Sequence, residues 1–280
     1  MIGPAWPRYA TVSPNLMSEP SSEGSPTDFS IAPTGGERPE YLVQLYDCLG
    51  RLNNRIDGPY YLSECDGTME FPNRGLYFFF SPWSVLETDP AHQWFLTRIG
   101  TVGVARGSTN TLWNRLRQHR GNQSGIYAGG GNHRGSIFRQ HVGRAFIARD
   151  GLEGTHPYWG EQFNGNDMPD TTSIREHEHC LETRVSQYIA SLPFLYLNVP
   201  GDSKPGNDRA RTEMNTIAMV SHARRTTPGL HDADWLGRHS PRPEISSTGL
   251  WNVDHVHALF GIDVLDVLEQ YIDETVACMP

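Results

Sequence analysis

Between Thr97 and Arg149 the chain contains no aspartate or glutamate, although its formal net charge is −9. Arg98, Arg106, Arg115, Arg117, Arg120, Arg134, Arg139, Arg144 and Arg149 all fall in that interval. A solvated charged face ordinarily interleaves both signs. Exclusion of acids over so long a stretch therefore points to a surface where an anion docks. Lysine is almost missing, Lys204 being the only one, so the preference for arginine runs through the whole chain and is no sign of phosphate chemistry in itself. Cysteine is also scarce. Cys48, Cys65, Cys180 and Cys278 are scattered and form no C-x-x-C pair, which argues against a disulfide framework and suits a reducing cytoplasm. No apolar run approaches the roughly 18 residues of a membrane helix, and no basic start with an apolar core marks a secretory signal. A soluble cytoplasmic protein without a membrane partner is expected. The acidic total, with pI about 5.7, excludes a protein that coats nucleic acid over its whole surface.

The periodicities that are present outline the chain. Residues 1–38 are rich in Pro, Ser and Gly with little apolar patterning, and read as a disordered tail. Leu42, Leu45, Tyr46, Leu49 and Leu52 recur at helical spacing, predicting a helix within a helical extension over 39–70. "GLYFFFSPW" at 75–83 and "RIGTVGV" at 98–104 read as antiparallel strands separated by a loop or short helical insertion. A helix begins near Thr111, capped by Thr109 or Asn110, with Leu112 and Leu116 facing the core and Arg115 and His119 sharing another face. Next come a glycine-rich loop at 125–135, a helix over Ile137–Phe146, and a loop at 151–171. A helix opening on the capping box Ser173 to Glu176 leads to a third strand, 194–199. Asp208 caps a further helix, and a last helix carries Val264, Leu265, Leu268, Tyr271 and Ile272. There is no internal repeat.

The order of strand with Gly75-Leu76-Tyr77, strand with Arg98-Ile99-Gly100, helix with Arg115 and His119, "TEMNTIAM" with Glu213, and "LWN" with Asn252 resembles the GIY-YIG nuclease family over about residues 75–252. The resemblance implies an α+β fold: a small mixed or antiparallel three-stranded sheet flanked by helices, with helical insertions. It implies a nuclease domain over 71–253, with 254–280 as a C-terminal helix packing on it. It further implies an endonuclease hydrolysing DNA phosphodiester bonds with Mg²⁺ or another divalent cation. Its catalytic residues would be Tyr77, Arg115, His119, Glu213 and Asn252, with Glu213 holding the metal. The sequence departs from the family in carrying Arg98 where the second motif has tyrosine, and in its long insertions, which leave Glu178 and Glu182 as alternative carboxylates.

Phosphodiester hydrolysis asks for these residue types. Arg115 can hold phosphate bidentately. One carboxylate suffices for Mg²⁺, which keeps most of its water. A free phenol, with a pKa of about 10, becomes a usable base if Arg98, Arg115 and a metal favour the phenolate, and His119 can relay or receive its proton. Tyr77 is accordingly assigned as general base, and Asn252 as an orienting amide. Arg98, Arg117, Arg120, His133, Arg134 and Arg139 are the candidates for contacts to nucleic acid, His133 and Arg134 because they precede a helix whose free amides attract phosphate.

Other clusters carry less. The literal Gly125-Ile126-Tyr127 is followed by Ala-Gly-Gly-Gly and not by a strand. In "HEHC", 177–180, the two histidines are two apart and point to opposite sides of a helix, unlike a shared metal site; His255 and His257 meet the same objection. Two competing readings are a nucleic-acid-binding module on the same fold that has lost cleavage, and an unrelated histidine-based metal hydrolase. Sequence specificity, DNA against RNA, and oligomeric state are not legible.

Overall fold

The computed structural model describes residues 39–82, 94–161, 171–227, 230 and 234–278. The tail at 1–38, most of the insertion between the first two strands, and the end of the 151–171 loop lie outside the described residues.

Four antiparallel strands form one sheet: β1 (Tyr60–Tyr61), β2 (Gly75–Pro82), β3 (Trp94–Thr101) and β4 (Pro193–Asn198), in the order β1-β4-β2-β3. The expected three strands are joined by β1, a two-residue edge pairing Tyr60 with Phe194 that is too short to leave a periodic signal. Leu76, Tyr77, Phe78, Phe79 and Phe80 are all buried. That explains why β2 shows no alternation: it is an inner strand covered on both faces. β3 begins four residues before the expected Arg98 and stops at Thr101, because Gly103 turns the chain with φ 71°.

Seven helices are described: α1 (Glu40–Ile56), α2 (Leu112–Arg120), α3 (Ile137–Asp150), α4 (Thr171–Ala190), α5 (Asp208–Thr226), α6 (Pro243–Ser246) and α7 (Val264–Glu274). α1, α5 and α7 pack with one another and against β3 and β4, while α2, α3 and α4 pack together. One hydrophobic core runs from Leu42 of α1 through the sheet to Ile272 of α7. α7 is tied to α1 by Arg51 Nη1 to Glu269 Oε1 at 2.8 Å and by Arg55 Nε donating to the Thr275 carbonyl at 2.9 Å.

Helix starts differ from expectation by a residue or two. Thr111, not Thr109 or Asn110, caps α2 by accepting from Asn114 N at 3.2 Å. Asn207, not Asp208, caps α5 by accepting from Ala210 N. α4 already runs at Thr171, so Ser173 lies inside it and not at its start. A side chain caps only where the backbone leaves helical geometry, and several polar candidates in a row do not say where that occurs. No helix among the described residues is long and apolar enough to cross a membrane.

Candidate active site

The two motif strands pair directly, with Tyr77 opposite Gly100 and Phe79 opposite Arg98. Opposed residues of an antiparallel pair share a face, so Tyr77 and Arg98 emerge on the same side. Both motif glycines are required by close approach. A Cβ at Gly75 would lie 2.0 Å from the Leu197 carbonyl oxygen, and one at Gly100 would lie 2.1 Å from the Tyr77 hydroxyl. The Tyr77 ring therefore lies across Gly100.

From there the phenol reaches α2. Tyr77 Oη is 2.8 Å from His119 Nε2, and His119 Nδ1 is 2.8 Å from Ser136 Oγ, the residue that caps α3. Arg139 Nη1 donates to the His119 carbonyl at 2.9 Å. Tyr77, His119, Ser136 and Arg139 are all buried, Tyr77 only 1% exposed. Burial pushes the Tyr77 hydroxyl above its ordinary value, and the pull of Arg98 and Arg115 in the other direction does not overcome it. The expectation that positive neighbours would draw this phenol down is corrected by that balance: desolvation of the phenolate outweighs the two cations. Burial first, then Arg98, Arg115 and Arg139, hold His119 well below the ordinary range, so its ring is neutral.

Glu213 comes from the other helical group, on α5. Burial lifts its carboxyl to about 7, opposed by Arg98 and Arg115 and reinforced by Asp254. Among the described residues it makes no hydrogen bond or ion pair. Tyr77 of β2, His119 of α2 and Glu213 of α5 thus all feel the same two guanidiniums, Arg98 and Arg115. Arg115 also lines an open cleft of about 220 Å³ together with Ser136, Ile137 and Gln140, and so connects the buried cluster to the surface.

Compared with known protein families, residues 36–278 match the GIY-YIG domain. The chain belongs to the GIY-YIG family. No curated protein and no solved structure matches it. The family match spans α1 and α7 as well as the motif-bearing segment, and it implies a nuclease-type hydrolase with nucleic acid as substrate.

Asn252 sits at the edge of this GIY-YIG site and is occupied with backbone. Its Oδ1 accepts from Ile99 N at 3.1 Å and its Nδ2 donates to the Ile99 carbonyl at 2.9 Å, so the amide replaces a missing strand partner along β3. Trp251 N donates to the Thr97 carbonyl, and Arg98 Nη1 donates to the Trp251 carbonyl at 2.9 Å, which fixes the Arg98 side chain.

Three of the six residues expected on nucleic acid, Arg139, His133 and Arg134, are engaged by carboxylates within the protein. Arg139 is fully buried, with Nε donating to Glu182 Oε2 at 3.0 Å. His133 stacks on Trp159 at 3.9 Å between centroids, and its Nδ1 lies 2.9 Å from Glu182 Oε1. Arg134 makes a bidentate pair with Glu178 at 2.7 and 3.0 Å. These engagements have a simple cause: α4 supplies the carboxylates that the acid-free interval lacks. Burial alone would raise Glu182, but its bonds to His133 and Arg139 hold it below the ordinary carboxylate range. Glu178 and Glu182 are accordingly engaged as counter-ions of Arg134, Arg139 and His133. Arg120 is half-committed, bonded to the Cys65 carbonyl and lying 5.0 Å over the Trp113 ring. Arg117 is exposed, and with Arg120, Asn122 and Gln123 it lines a polar groove of about 450 Å³.

No group of three or more His, Cys, Asp or Glu side chains among the described residues is placed to hold a metal. A hydrated divalent cation does not need one. Glu213, half-buried and without a partner among the described residues, is a carboxylate of the kind such a cation would occupy, with Asp254 nearby. Sequence reasoning missed Ser136 and Asp254. Ser136 carried a signal, a serine immediately before a helical apolar stripe; Asp254 carried none.

Proposed function

We propose that this protein is a metal-dependent endonuclease that hydrolyses phosphodiester bonds of DNA. The observation that carries the reading is the convergence of Tyr77, His119 and Glu213, from three separate elements, around Arg98 and Arg115.

In this reading Arg115 binds the scissile phosphate from the cleft through a charge-assisted bidentate contact. Arg98, held by the Trp251 carbonyl, adds positive charge beside the Tyr77 oxygen where the family has a second tyrosine. Tyr77 takes the proton of the attacking water while passing its own hydroxyl proton across the 2.8 Å contact to the neutral ring of His119. Asn252 acts at one remove, keeping β3 in line so that Arg98 and Gly100 stay under Tyr77. Glu213 would hold the divalent cation, which when bound polarises the phosphate and stabilises the leaving oxygen. Exposed Arg117 contributes sequence-independent attraction to the backbone.

The test is nicking of supercoiled plasmid in Mg²⁺. Wild type is expected to nick, with Tyr77→Phe and Glu213→Ala each reduced by at least roughly 100-fold, in line with the loss of an acid–base group. Equal inertness of all three, with DNA still shifted on a gel, supports the second reading, a binding module without cleavage. That reading is favoured by the near-closure of the Tyr77 hydroxyl from solvent.

A further inference from the structure

The arginines between Thr97 and Arg149 sort by what they touch. Arg134, Arg139 and Arg149 bond carboxylates, Arg98 and Arg120 bond backbone carbonyls, and Arg115 bonds Gln118 Oε1. Arg106 and Arg117 are exposed. Arg144 fits none of these groups: it is only partly exposed, yet it makes no hydrogen bond or ion pair among the described residues. A guanidinium that loses part of its water without gaining a partner is poorly compensated, and its donors stay free for an anion.

Gly160 sets where that guanidinium lies. It has φ 86°, donates its N–H to His133 Nε2 at 3.0 Å, and accepts from Gln140 Nε2 at 2.9 Å. A Cβ on Gly160 would lie 2.5 Å from Arg144 Nη2 and 2.8 Å from Arg144 Nε, so the guanidinium rests on the Gly160 backbone beside the Gln140 amide. Gly160 and Gln140 both line the cleft of about 220 Å³ that holds Arg115. Ile137, Gln140 and Arg144 share one face of α3, and that face reaches from the cleft lining to Arg144 over roughly 10 Å of helix axis. His141 lies on the same side. Burial, then Arg98, Arg242 and Arg144, bring its ring down to about 3, with Glu244 opposing them last. The positive field beside Tyr77 is thus continuous with that of Arg144. Glu161, the carboxylate at the cleft, is exposed and unpaired with Arg144.

We infer that Arg144 is a second phosphate contact of this cleft, holding a phosphate of the cleaved DNA strand a few nucleotides from the one at Arg115. This deepens the nuclease reading and rests on it for which phosphate is cut. Phosphates of one strand succeed one another at about 3.4 Å along the duplex axis, so a span of roughly 10 Å takes in two or three of them. A guanidinium offers paired N–H groups to two phosphate oxygens. Because Arg144 is already seated on Gly160, less side-chain freedom is lost on binding than at exposed Arg117. The phosphate it holds does not react, so the contact is equally strong before and during cleavage and acts on KM, not on kcat.

The experiment is fluorescence anisotropy of a short labelled duplex with the full chain in chelator, titrated at increasing salt. Arg144→Ala is expected to reduce the salt slope by about 1 and to weaken binding roughly 5–10-fold at about 0.1 M salt. Arg144→Lys keeps the charge and should keep the slope. Arg149→Ala, on the same helix but bonded to Asp150, should leave it unchanged. The melting temperature of Arg144→Ala should match wild type, since no bond within the protein is lost; Arg144→Gln repeats the measurement with much of the stem retained. In plasmid nicking with Mg²⁺, KM should rise by a similar factor while kcat moves by less than about twofold. An unchanged slope in folded Arg144→Ala and Arg144→Gln overturns the inference. So does an equal loss in Arg149→Ala, which would reduce the effect to charge at a distance, or a fall in kcat at constant KM. If the slope falls as expected but wild type nicks nothing, it is the nuclease reading that fails, and the phosphate contact of Arg144 stands.

Discussion

The hydroxyl of Tyr77 lies over the backbone of Gly100, its partner across the β2–β3 pair, so closely that a methyl group at position 100 would sit 2.1 Å from it. Gly100→Ala must therefore move the whole phenol, since the ring carbon bearing the hydroxyl would be only 2.2 Å away as well. We expect a stability loss of about 1–3 kcal/mol from overpacking. Plasmid nicking should fall as far as in Tyr77→Phe, because the 2.8 Å contact to His119 is broken. Thermal unfolding and a nicking assay on the same preparation check both parts; retention of full activity in a folded variant contradicts the assigned role of the phenol.

Glu213 should destabilise the metal-free protein at alkaline pH. Its folded value of about 7 lies above its ordinary 4.5, so the folded state binds this proton more tightly than the unfolded chain does. The stability linked to the neutral carboxyl is complete below the ordinary value and is lost as pH rises through the folded one. In chelator at about pH 8, Glu213→Gln is expected to be more stable than wild type by roughly 2 kcal/mol after allowance for screening, with the difference nearly gone at about pH 4. Added Mg²⁺ should raise the melting temperature of wild type at pH about 8 by mass action and leave the variant unmoved. Melting curves at the two pH values, with and without Mg²⁺, decide this.

The Arg139–Glu182 pair should matter more for folding than any contact with substrate. Both side chains are buried, and removing one partner leaves an uncompensated charge, expected to cost about 3–5 kcal/mol. Urea unfolding of Glu182→Gln and Arg139→Leu measures it. Because Glu182 is held below its ordinary range, its contribution is present above the ordinary value and lost as pH falls through the lowered one. The gap between wild type and Glu182→Gln should consequently narrow in acid.

Arg117 and Arg134 should separate in a DNA-binding titration against salt. Arg117 is exposed, and Arg117→Ala is expected to weaken binding equally across sequences and to reduce the salt slope by about 1. Arg134 is engaged by Glu178, so Arg134→Ala should leave the slope unchanged and lower stability instead. Identical slopes for the two variants would mean that the Arg134–Glu178 pair opens on binding DNA.

Much of the architecture is written in local pattern. The stripe from Leu42 to Leu52, the aromatic run ending at Pro82, and the spacing of Arg115 and His119 each announce their element, because helix and strand impose fixed periods on the side chains they bury. The order of Tyr77, Arg115, Glu213 and Asn252 is enough to suggest the family. β1 was invisible because two residues have no period. Asn252 is expected as an orienting amide, and which groups it bonds, the backbone N–H and carbonyl of Ile99 on an edge strand, is not written in any local pattern.

The allocation of the arginines shows where linear information ends. The chain itself settles that no acid stands between Thr97 and Arg149, and hence that this stretch must meet negative charge somewhere. Only the folded molecule decides that Arg134 and Arg139 meet Glu178 and Glu182 of α4, more than forty positions later, while Arg98 and Arg115 remain beside Tyr77 and Glu213. Charges choose partners by proximity in space, and a buried guanidinium must find a counter-ion wherever packing brings one. Separation along the chain therefore says nothing about which cation is neutralised and which is left for a phosphate.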